Sequence, residues 1–471
     1  MPYPQRAEEA KLALRTARRI EREIARDGWP VGASLGSEED LRRRFEVSRS
    51  VLREALVLVE HHRAARMRRG NGGGLFVTAP DHGPATRAII LYLEHGGTRV
   101  ADLVTARLLL EPLAAADAAL RVTEADVPRL RALVLPPGHV PGRPADIPAM
   151  DVFHATLGEL SGNPVLRLLL SVLIELTDRY ARYLSGLPGH ETPLGESVEH
   201  GRRAIAETVA AGDAHAARAA ATRYLDGLAR YTAAHPTGVL RHGTPMPEPE
   251  GAKLGEALAV RVHNEVVRRG WPVGELLGTE TELLARHGVS RAVFREAVRI
   301  LEHHAVAVMR RGPSGGLVVT EPEPSAAIEM TALYLDYRES TRTDLHTVRE
   351  AIELGCLDLI LARRHEPEVS ARLRTLAAAS DRTGAPPPGR DAFAEFAVLA
   401  GNPVLTLFLH IVTELSARHL REAGVPLDPA ALAHWTRLAN ARVAAAVLAD
   451  DPSLARLRLR RSLTKGFARL P

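Results

Sequence analysis

The sequence predicts a mainly α-helical protein with two short β-hairpins, arranged as four segments in the order small, large, small, large. The 471-residue chain is 45% apolar and 25% charged, as in ordinary globular proteins, and its length suggests three or four domains. Apolar residues in the long Leu- and Ala-rich stretches recur with the helical period. An internal repeat further divides the chain into two similar halves. This composition excludes a mostly disordered or fibrous chain.

The repeat consists of matching segments separated by 242 residues, or by 239 residues for the last of them. WPVG at 29–32 returns at 271–274, and VSRSVLREALVLVEHH at 47–62 returns as VSRAVFREAVRILEHH at 289–304. MRRG at 67–70 returns at 309–312, and GNPVL at 162–166 returns at 401–405. Such anchors, in one order and with little drift, predict a tandem duplication of a unit of about 240 residues.

Proline-rich stretches mark the boundaries within each half. Residues 79–84 and 321–324 each carry two prolines, and such stretches cannot continue a helix. The low-hydrophobicity stretch 235–251 is typical of a linker. The predicted organisation is a small domain at 1–80, a large helical domain at 85–234, a linker at 235–252, a small domain at 253–322 and a large helical domain at 325–471.

The first small domain carries the pattern of a helix, a tight turn and a second helix. Ser37 can cap a helix that runs to Phe45, and Ser48 can cap another that runs to about residue 60. One face of the second helix is apolar, and Arg49 and Arg53 lie with Ser50 on the opposite face, near the N-terminus. In a helix-turn-helix, the second helix enters the major groove of DNA and presents such early residues to the bases.

A basic hairpin follows this helix pair. Residues 66–77 are typical of two strands joined by a Gly-rich turn, which would form a wing beside the second helix. Residues 41–70 contain nine Arg and three Glu, and residues 283–312 contain six Arg and two Glu, whereas the whole chain has a net charge of only +4. Because phosphate attraction requires a local basic patch, both segments are predicted to bind DNA.

These residues carry a resemblance to a known family. SEEDLRRRFEVSRSVLREALVLVEHH, with RRGNGGGLFV after it, resembles the winged helix-turn-helix of the GntR family of bacterial transcription regulators. The large segment resembles the all-helical FCD effector-binding domain of the FadR subgroup, in Arg107 with Glu111, in FH at 153–154, in SGNP at 161–164 and in EH at 199–200. The resemblance implies a mainly α protein in which two winged helix-turn-helix domains alternate with two FCD-type bundles.

The resemblance also implies which residues contact DNA. In the first copy these are Ser48, Arg49, Ser50 and Arg53, with Arg68, Arg69 and Gly70 in the wing. In the second copy they are Ser290, Arg291, Ala292 and Arg295, with Arg310, Arg311 and Gly312 in the wing. Arg299 is a further candidate for DNA contact in the second copy, beyond what the resemblance implies. The two copies differ, because Ala292 replaces Ser50 and Arg299 replaces Val57. The operator is therefore predicted to be an imperfect palindrome.

The first copy departs from the family pattern at two positions. Many members have an Arg that reaches DNA where Glu39 stands here, and Glu39 would repel phosphate. The family turn usually has Gly, which tolerates positive φ, and the second copy keeps Gly288 whereas the first has Glu46.

The large domains contain candidate effector-binding residues. Arg107 and Arg349 each precede a Glu by one helical turn, which fits either an ordinary i,i+4 ion pair or contact with a ligand. An interior Arg would suit an acidic effector, such as a carboxylate. The candidate effector-binding residues are Arg107, His154, His200 and Arg349.

Many FadR-type domains bind a divalent metal through an Asp, a His four residues later and two further His. In the first copy His154 and His200 match, but Met150 and Tyr224 stand at the other two positions. The second copy has Gly389, Phe393, Leu438 and Ser462 at these places. No firm metal site is predicted; zinc, nickel or manganese in the first domain would depend on His154 and His200.

Two histidine pairs, His61-His62 and His303-His304, end the predicted recognition helices. As cations they would suit the negative end of the helix dipole, and this is the role we expect. The chain contains no phosphate-binding glycine loop followed by Lys and Ser or Thr, and no GxSxG motif.

The sequence therefore predicts a cytoplasmic, non-enzymatic regulator that binds a double-stranded DNA operator under the control of a small effector. One chain would act as a pseudo-dimer, and further dimerisation stays open. No apolar run could span a membrane, and the single cysteine, Cys356, fits a reducing compartment. Two alternatives remain. One is a degenerate regulator or scaffold with only one working DNA reader, favoured by Glu39 and Glu46. The other is a metal-dependent enzyme, against which Met150 and Tyr224 argue.

Overall fold

The computed structural model describes residues 3–70, 72–134, 148–185, 195–234, 245–248, 251–310, 312, 315–378, 394–424 and 429–468. The chain forms two compact units. The winged unit, as we name it, comprises Met1–Gly97 and Arg241–Glu339, and the helical unit comprises Thr98–Leu240 and Ser340–Pro471. Each unit therefore draws on both halves of the sequence. Most of the predicted linker, residues 235–244 and 249–250, lies outside the described residues.

The elements follow one order in both halves. In the first half they are α1 (Tyr3–Arg26), α2 (Glu38–Phe45), α3 (Arg49–His61), β1 (Ala65–Arg68), β2 (Gly74–Val77), α4 (Gly83–His95), α5 (Val100–Arg121), α6 (Asp126–Val134), α7 (Pro148–Leu160), α8 (Pro164–Ser185), α9 (Gly195–Ala210) and α10 (Ala214–Ala234). In the second half they are α11 (Leu254–Arg268), β3 (Leu276–Gly278), α12 (Glu280–His287), α13 (Arg291–His303), β4 (Ala307–Arg310), β5 (Gly316–Val319), α14 (Ser325–Tyr337), α15 (Arg342–Arg363), α16 (Pro367–Ala378), α17 (Ala394–Ala400), α18 (Pro403–Glu422), α19 (Pro429–Leu448) and α20 (Pro452–Ala468).

The helix-turn-helix of the first winged domain (α1–β2) forms because both of its helices are capped. The Ser37 side chain accepts a hydrogen bond from the Asp40 backbone N–H, and the Asp40 carboxylate accepts one from the Ser37 backbone N–H. The Ser48 hydroxyl accepts from the Val51 backbone N–H at 3.3 Å. These caps satisfy N–H groups that the first helical turn leaves unpaired, so the predicted starts of both helices are confirmed.

The turn between these helices is strained in the first winged domain. Glu46 has φ 55° and Gly288, in the matching turn of the second winged domain (α11–β5), has φ 63°. A left-handed conformation costs a non-glycine residue about 1 kcal/mol, and glycine avoids this cost.

Replacing Glu46 with Gly is therefore expected to raise the free energy of unfolding by about 0.5–1 kcal/mol, because it relieves the left-handed strain. Chemical denaturation of the full chain measures the change. The matched control is Gly288→Glu, which introduces the strain and should lower stability by a similar amount. If both substitutions changed stability in the same direction, backbone strain would not be the cause.

Each wing is an antiparallel hairpin that packs beside its second helix. In the first, the register runs from Ala65 opposite Val77 to Arg68 opposite Gly74, and Ser34 adds a bridge to Phe76. In the second, β3 extends the hairpin to a three-stranded sheet in the order β3-β5-β4. In the first wing, the backbone around Gly36 lies close to the start of β2. A Cβ at Gly74 would lie 2.6 Å from the Gly36 carbonyl oxygen, so only glycine fits there.

Helices α4 and α14 belong to the winged unit, although the proline boundaries placed them at the start of the large segments. The two helices pack against each other. The Trp29 ring in the first winged domain contacts Tyr337 of α14 at 5.4 Å between centroids, and the Trp271 ring in the second contacts His95 of α4 at 5.2 Å. Each winged domain is thus joined to the helix that follows the other one, which explains why these helices stay in this unit.

In the helical unit, two long helices, α5 and α15, organise the bundle. Helix α5 packs against α7, α8, α9 and α10, and α15 packs against α17, α18 and α20. The two halves of this unit are also linked by reciprocal hydrogen bonds. Asn163 donates from Nδ2 to the Asp344 carbonyl at 3.2 Å, and Asn402 donates from Nδ2 to the Asp102 carbonyl at 3.0 Å.

The observed architecture confirms a mainly helical chain with a winged helix-turn-helix region and a helical bundle. Within the described ranges, no helix combines the length and the apolar character needed to cross a membrane.

Candidate nucleic-acid interface and buried polar site

The N-terminal end of α3 presents its polar residues to solvent. The side chains of Arg49 and Arg53 are 70% and 59% exposed, and Ser48 and Ser50 are exposed as well. The opposite face of the helix is buried in the core of the domain. This division follows from the sequence, because the apolar positions of α3 repeat on one side of the helix.

Glu38 holds both arginines of α3. Its Oε1 accepts hydrogen bonds from Arg49 Nε at 3.2 Å and from Arg53 Nε at 2.9 Å. Glu280, which begins α12 as Glu38 begins α2, lies 3.0 Å from Arg291 Nε. In each winged domain a carboxylate of the preceding helix therefore orients an exposed arginine of the second helix. Sequence reasoning missed Glu38 and Glu280, because pairing between helices has no local signal.

Glu39 is neutralised by its own helix. Its carboxylate accepts from Arg42 Nη2 at 2.7 Å and lies 4.0 Å from Arg43 Nε. The hydrogen bond from Arg42 lowers the pKa of Glu39. The repulsion of phosphate that we expected from Glu39 is reduced, because its charge is balanced by a neighbouring cation.

The wings also present cations. Arg68, Arg69 and Gly70 are exposed, and the Arg68 guanidinium lies over the Phe76 ring at 4.4 Å, which holds the long side chain in place. In the second winged domain Arg310 is exposed, as are Ser290, Arg291 and Arg295 on α13. Arg311 lies outside the described residues.

The assignment of Arg299 to the DNA-contacting set is wrong. Its side chain is only 17% exposed, and its guanidinium pairs with Glu54 of α3 and with Glu302. Arg299 is placed at the contact between α3 and α13 because it lies in the C-terminal half of its helix, two turns beyond Arg291. It links the two second helices instead of presenting a cation to DNA.

The expected cationic role of the paired histidines is also wrong. His61, His62 and His304 are buried, with 8%, 2% and 6% of their surfaces exposed. Burial lowers the pKa of His61, and it lowers the pKa of His303 and His304 well below the usual range. The rings of His61, His303 and His304 are therefore neutral at neutral pH. All four histidines lie in a contact between the winged domains, which periodicity within one helix could not reveal.

A buried polar network lies in the first half of the helical unit. Arg107 of α5 donates from Nε to Glu111 Oε2 at 3.0 Å, and the two side chains are 3% and 0% exposed. Glu111 Oε1 lies 2.5 Å from Nδ1 of His154 on α7. Nε2 of His154 lies 3.5 Å from the hydroxyl of Tyr224 on α10, and the two rings stack with centroids 5.5 Å apart.

The charges within this network balance. Burial alone would raise the pKa of Glu111, but Arg107 and His154 bring it down to about 2. Burial lowers the pKa of His154, although Glu111 opposes the shift. Near neutral pH a cationic Arg107 therefore faces an anionic Glu111, and a neutral His154 can donate from Nδ1 and accept at Nε2. Tyr224 and the role of Glu111 toward His154 were not predicted, because both depend on helix packing.

The described residues do not fit the metal site that the family resemblance implies. Both nitrogens of His154 are engaged by Glu111 and Tyr224, and His200 is exposed on α9. The Met150 side chain lies outside the described residues. Among the residues that the structure describes, no three His, Cys, Asp or Glu side chains are grouped so that they could hold a metal ion.

The second half of the helical unit keeps only part of this network. Arg349 Nε lies 2.6 Å from Glu353 Oε1, and the two side chains are 19% and 15% exposed. Leu438 and Ser462 stand at the positions aligned with His200 and Tyr224, while Gly389 and Phe393 lie outside the described residues. The i,i+4 pair is therefore present in both halves, but it is more buried in the first.

The fold and these two sites define a class: proteins that join a winged helix-turn-helix to an all-helical domain with a buried polar centre. Known proteins agree with this class. The family described as "Bacterial regulatory proteins, gntR family" matches residues 12–75, and the "FCD domain" matches residues 102–227. The chain belongs to the gntR family of bacterial regulatory proteins.

Individual relatives carry regulator names. The HTH-type transcriptional regulator LutR of Bacillus subtilis is 32% identical over 208 residues, which are 42% of this chain and 90% of that protein. The Uxu operon regulator of Haemophilus influenzae is 27% identical over 151 residues, which are 31% of this chain. The match spans 53% of that second relative, about half its length. The solved structure of Streptococcus agalactiae GntR matches with 23% identity and a TM-score of 0.35, covering 46% of this chain and 99% of that one.

Proposed function

We propose that this chain is a sequence-specific transcription regulator of the FadR subgroup, in which a tandem duplication supplies both DNA readers of one operator. The observation that carries the proposal is the matched pair of second helices in the winged unit. Each exposes an arginine at its N-terminal end, Arg49 or Arg291, and each arginine is held by a carboxylate of the preceding helix. Such arginines suit bidentate recognition of guanine.

The contact between α3 and α13 supports the binding of both helices to one short operator. Because Arg299 pairs with Glu54, the two 13-residue helices overlap along part of their length. At about 1.5 Å per residue, overlapping helices of this size hold their N-terminal ends no more than about one turn of DNA apart. The two half-sites are therefore proposed to lie within about ten base pairs of each other.

The two readers differ in detail, which supports an imperfect palindrome. Ser50 of the first helix corresponds to Ala292 of the second, so one hydroxyl is lost. Glu38 holds two arginines in the first domain, while Glu280 pairs with Arg291 in the second. Since Arg and Ser side chains form different hydrogen bonds with bases, the half-sites are expected to share a guanine but to differ beside it.

For the effector, we propose a small carboxylate that binds at the buried network of the first half. Arg107 is the candidate counter-charge, and its partner Glu111 would have to yield to the incoming carboxylate. Such an exchange would disturb the contacts among α5, α7 and α10 and could shift the population of DNA-competent arrangements. Arg349 is the corresponding candidate in the second half. The exposed His200 is a candidate only if the effector reaches the surface of α9.

Selection of duplexes from a random DNA pool by the purified full chain tests the proposal. We expect enrichment of two similar but unequal elements within about ten base pairs, with affinity that falls steeply as salt rises. Recovery of one element alone would favour the alternative of a single working reader. If no sequence is enriched, specific DNA recognition by this chain is refuted.

A further inference from the structure

Four histidines meet where the two winged domains touch. His61 and His62 end α3, and His303 and His304 end α13. Nε2 of His61 lies 2.9 Å from Nε2 of His304, and Nε2 of His62 lies 3.2 Å from Nε2 of His303. We name these four residues the histidine cluster. Each hydrogen bond in it joins one winged domain to the other.

These contacts require neutral rings. A hydrogen bond between two imidazole Nε2 atoms needs one donor and one acceptor, so at least one ring of each pair must be unprotonated. If both rings of a pair are protonated to imidazolium cations, the bond is lost and two positive charges face each other about 3 Å apart in a buried site. Burial and the neighbouring histidines lower the pKa of His303 and of His304.

Charged groups face the cluster from every element packed against it. They are Arg18 and Glu21 on α1, Arg87 on α4, Glu256 and His263 on α11, and Glu329 on α14. Glu21 lies 2.5 Å from His62 Nδ1, and Glu256 lies 3.6 Å from His61 Nδ1. Both carboxylates therefore lie beside the histidines at the end of α3. His303 and His304 are instead close to Arg18 and Arg87, so protonation is most costly on α13.

A small cavity lies beside the cluster. It has a volume of about 30 Å³ and is lined by His61, Arg87, Glu256, His263 and His304, together with apolar side chains. The surface that faces this cavity is almost entirely apolar, so the cavity offers space beside the buried His61–His304 pair but few hydrogen-bond partners for a water molecule.

We propose that the histidine cluster makes the docking of the two winged domains sensitive to protons, so that the domains are docked at neutral pH and separate in mild acid. Operator affinity would then fall with the docking, because separated winged domains must be brought back into register before both second helices can bind one operator. The effect on DNA depends on the proposed function, whereas the effect on docking does not.

The direction of the pH dependence follows from the lowered pKa values. Below about pH 6.5 a solvent-exposed histidine binds a proton, while the docked rings of His61, His303 and His304 do not until the pH is lower. Separation of the domains therefore takes up protons and is favoured as the pH falls through that range. Simple electrostatics predicts the opposite for DNA binding, because added positive charge strengthens attraction to phosphate.

The test measures affinity for the selected duplex between pH 8 and pH 5, for the full chain and for the double variant His303→Gln and His304→Gln. Glutamine can hydrogen-bond to His61 and His62 without taking up a proton. We expect the affinity of the natural chain to be constant above pH 7 and to fall more than tenfold per pH unit below about pH 6.5. The variant should keep its affinity, or gain some, over the same range. Equal slopes for the two proteins would overturn the proposal.

A second readout keeps docking separate from DNA binding. The thermal midpoint of the winged unit, followed in the full chain without DNA, should fall with pH more steeply in the natural chain than in the variant. If no duplex is bound at pH 8, the proposed function fails, and this difference in slope alone decides the proton inference. The single variant His303→Gln serves if the double variant does not fold. If a chelator at pH 8 reproduces the acid effect, the cluster binds a metal and the proposal is wrong.

Discussion

Replacing Glu111 with Ala is expected to destabilise the helical unit by about 3–5 kcal/mol, the largest effect on stability that the structure predicts. The substitution leaves the Arg107 guanidinium buried without its counter-charge and removes the acceptor that faces His154 Nδ1. A buried charge that loses its only carboxylate partner costs far more than the attraction of an exposed pair. Thermal and urea unfolding of the full chain measure the loss.

The second half of the unit provides the matched control. Glu353 occupies the same place beside Arg349, but both side chains keep access to water, so Glu353→Ala should cost no more than about 1 kcal/mol. Replacing Arg107 and Glu111 together with Met and Leu should recover most of the loss, since no charge then remains buried. A loss for Glu111→Ala as small as that for Glu353→Ala would show that water reaches Arg107.

Acid should act on the same pair. The folded-state pKa of Glu111 is about 2, whereas an unfolded glutamate titrates near 4.3. The stabilising contribution of Glu111 is thus fully present above about pH 5 and is lost progressively as the pH falls toward 2. The Glu111→Ala chain should lack this component of acid sensitivity.

Removing Arg49 and Arg291 together is expected to weaken specific DNA binding more than any other substitution considered. Each arginine can make a bidentate contact with guanine that is worth about 1–3 kcal/mol, so the double variant should bind the selected duplex about 30-fold to 10⁴-fold more weakly. Arg49→Ala and Arg291→Ala alone should each weaken binding by about 5-fold to 150-fold. Titration of a labelled duplex at fixed salt measures all three.

A control variant separates specific contacts from general charge. Arg129 lies on α6 in the helical unit, is 50% exposed and pairs with Glu159, so Arg129→Ala removes the same charge without touching either reader. Its affinity should stay within about twofold of that of the natural chain. If either single substitution in the readers behaves like Arg129→Ala, that domain does not read DNA, and the alternative of one working reader is correct.

Local sequence patterns were sufficient to predict the helix starts and the exposed arginines of the first winged domain. Ser37 and Ser48 were recognisable as helix caps because their role depends on the next three residues. The exposure of Arg49 and Arg53 followed from the apolar face of their own helix. Periodicity and capping act within one helix, so a single sequence is enough to predict them.

Contacts between elements could not be predicted in this way. Arg299 looked like a further cation for DNA, and only the packing of α13 on α3 shows that it serves Glu54. The histidine pairs looked like helix-end cations, but a second domain buries them. From the sequence, Tyr224 was only a residue that does not match the metal-binding pattern; its stacking on His154 depends on where α10 packs. Each error came from considering one helix alone, as if solvent and not another helix surrounded its polar face.

If both second helices bind one operator as proposed, their different ion pairs would give the complex with DNA a direction. Glu38 fixes two arginines in the first domain, whereas Glu280 fixes Arg291 in the second. A symmetric dimer sits identically in either sense on a palindrome. A polypeptide whose two second helices are chemically distinct would have one preferred sense on such a site.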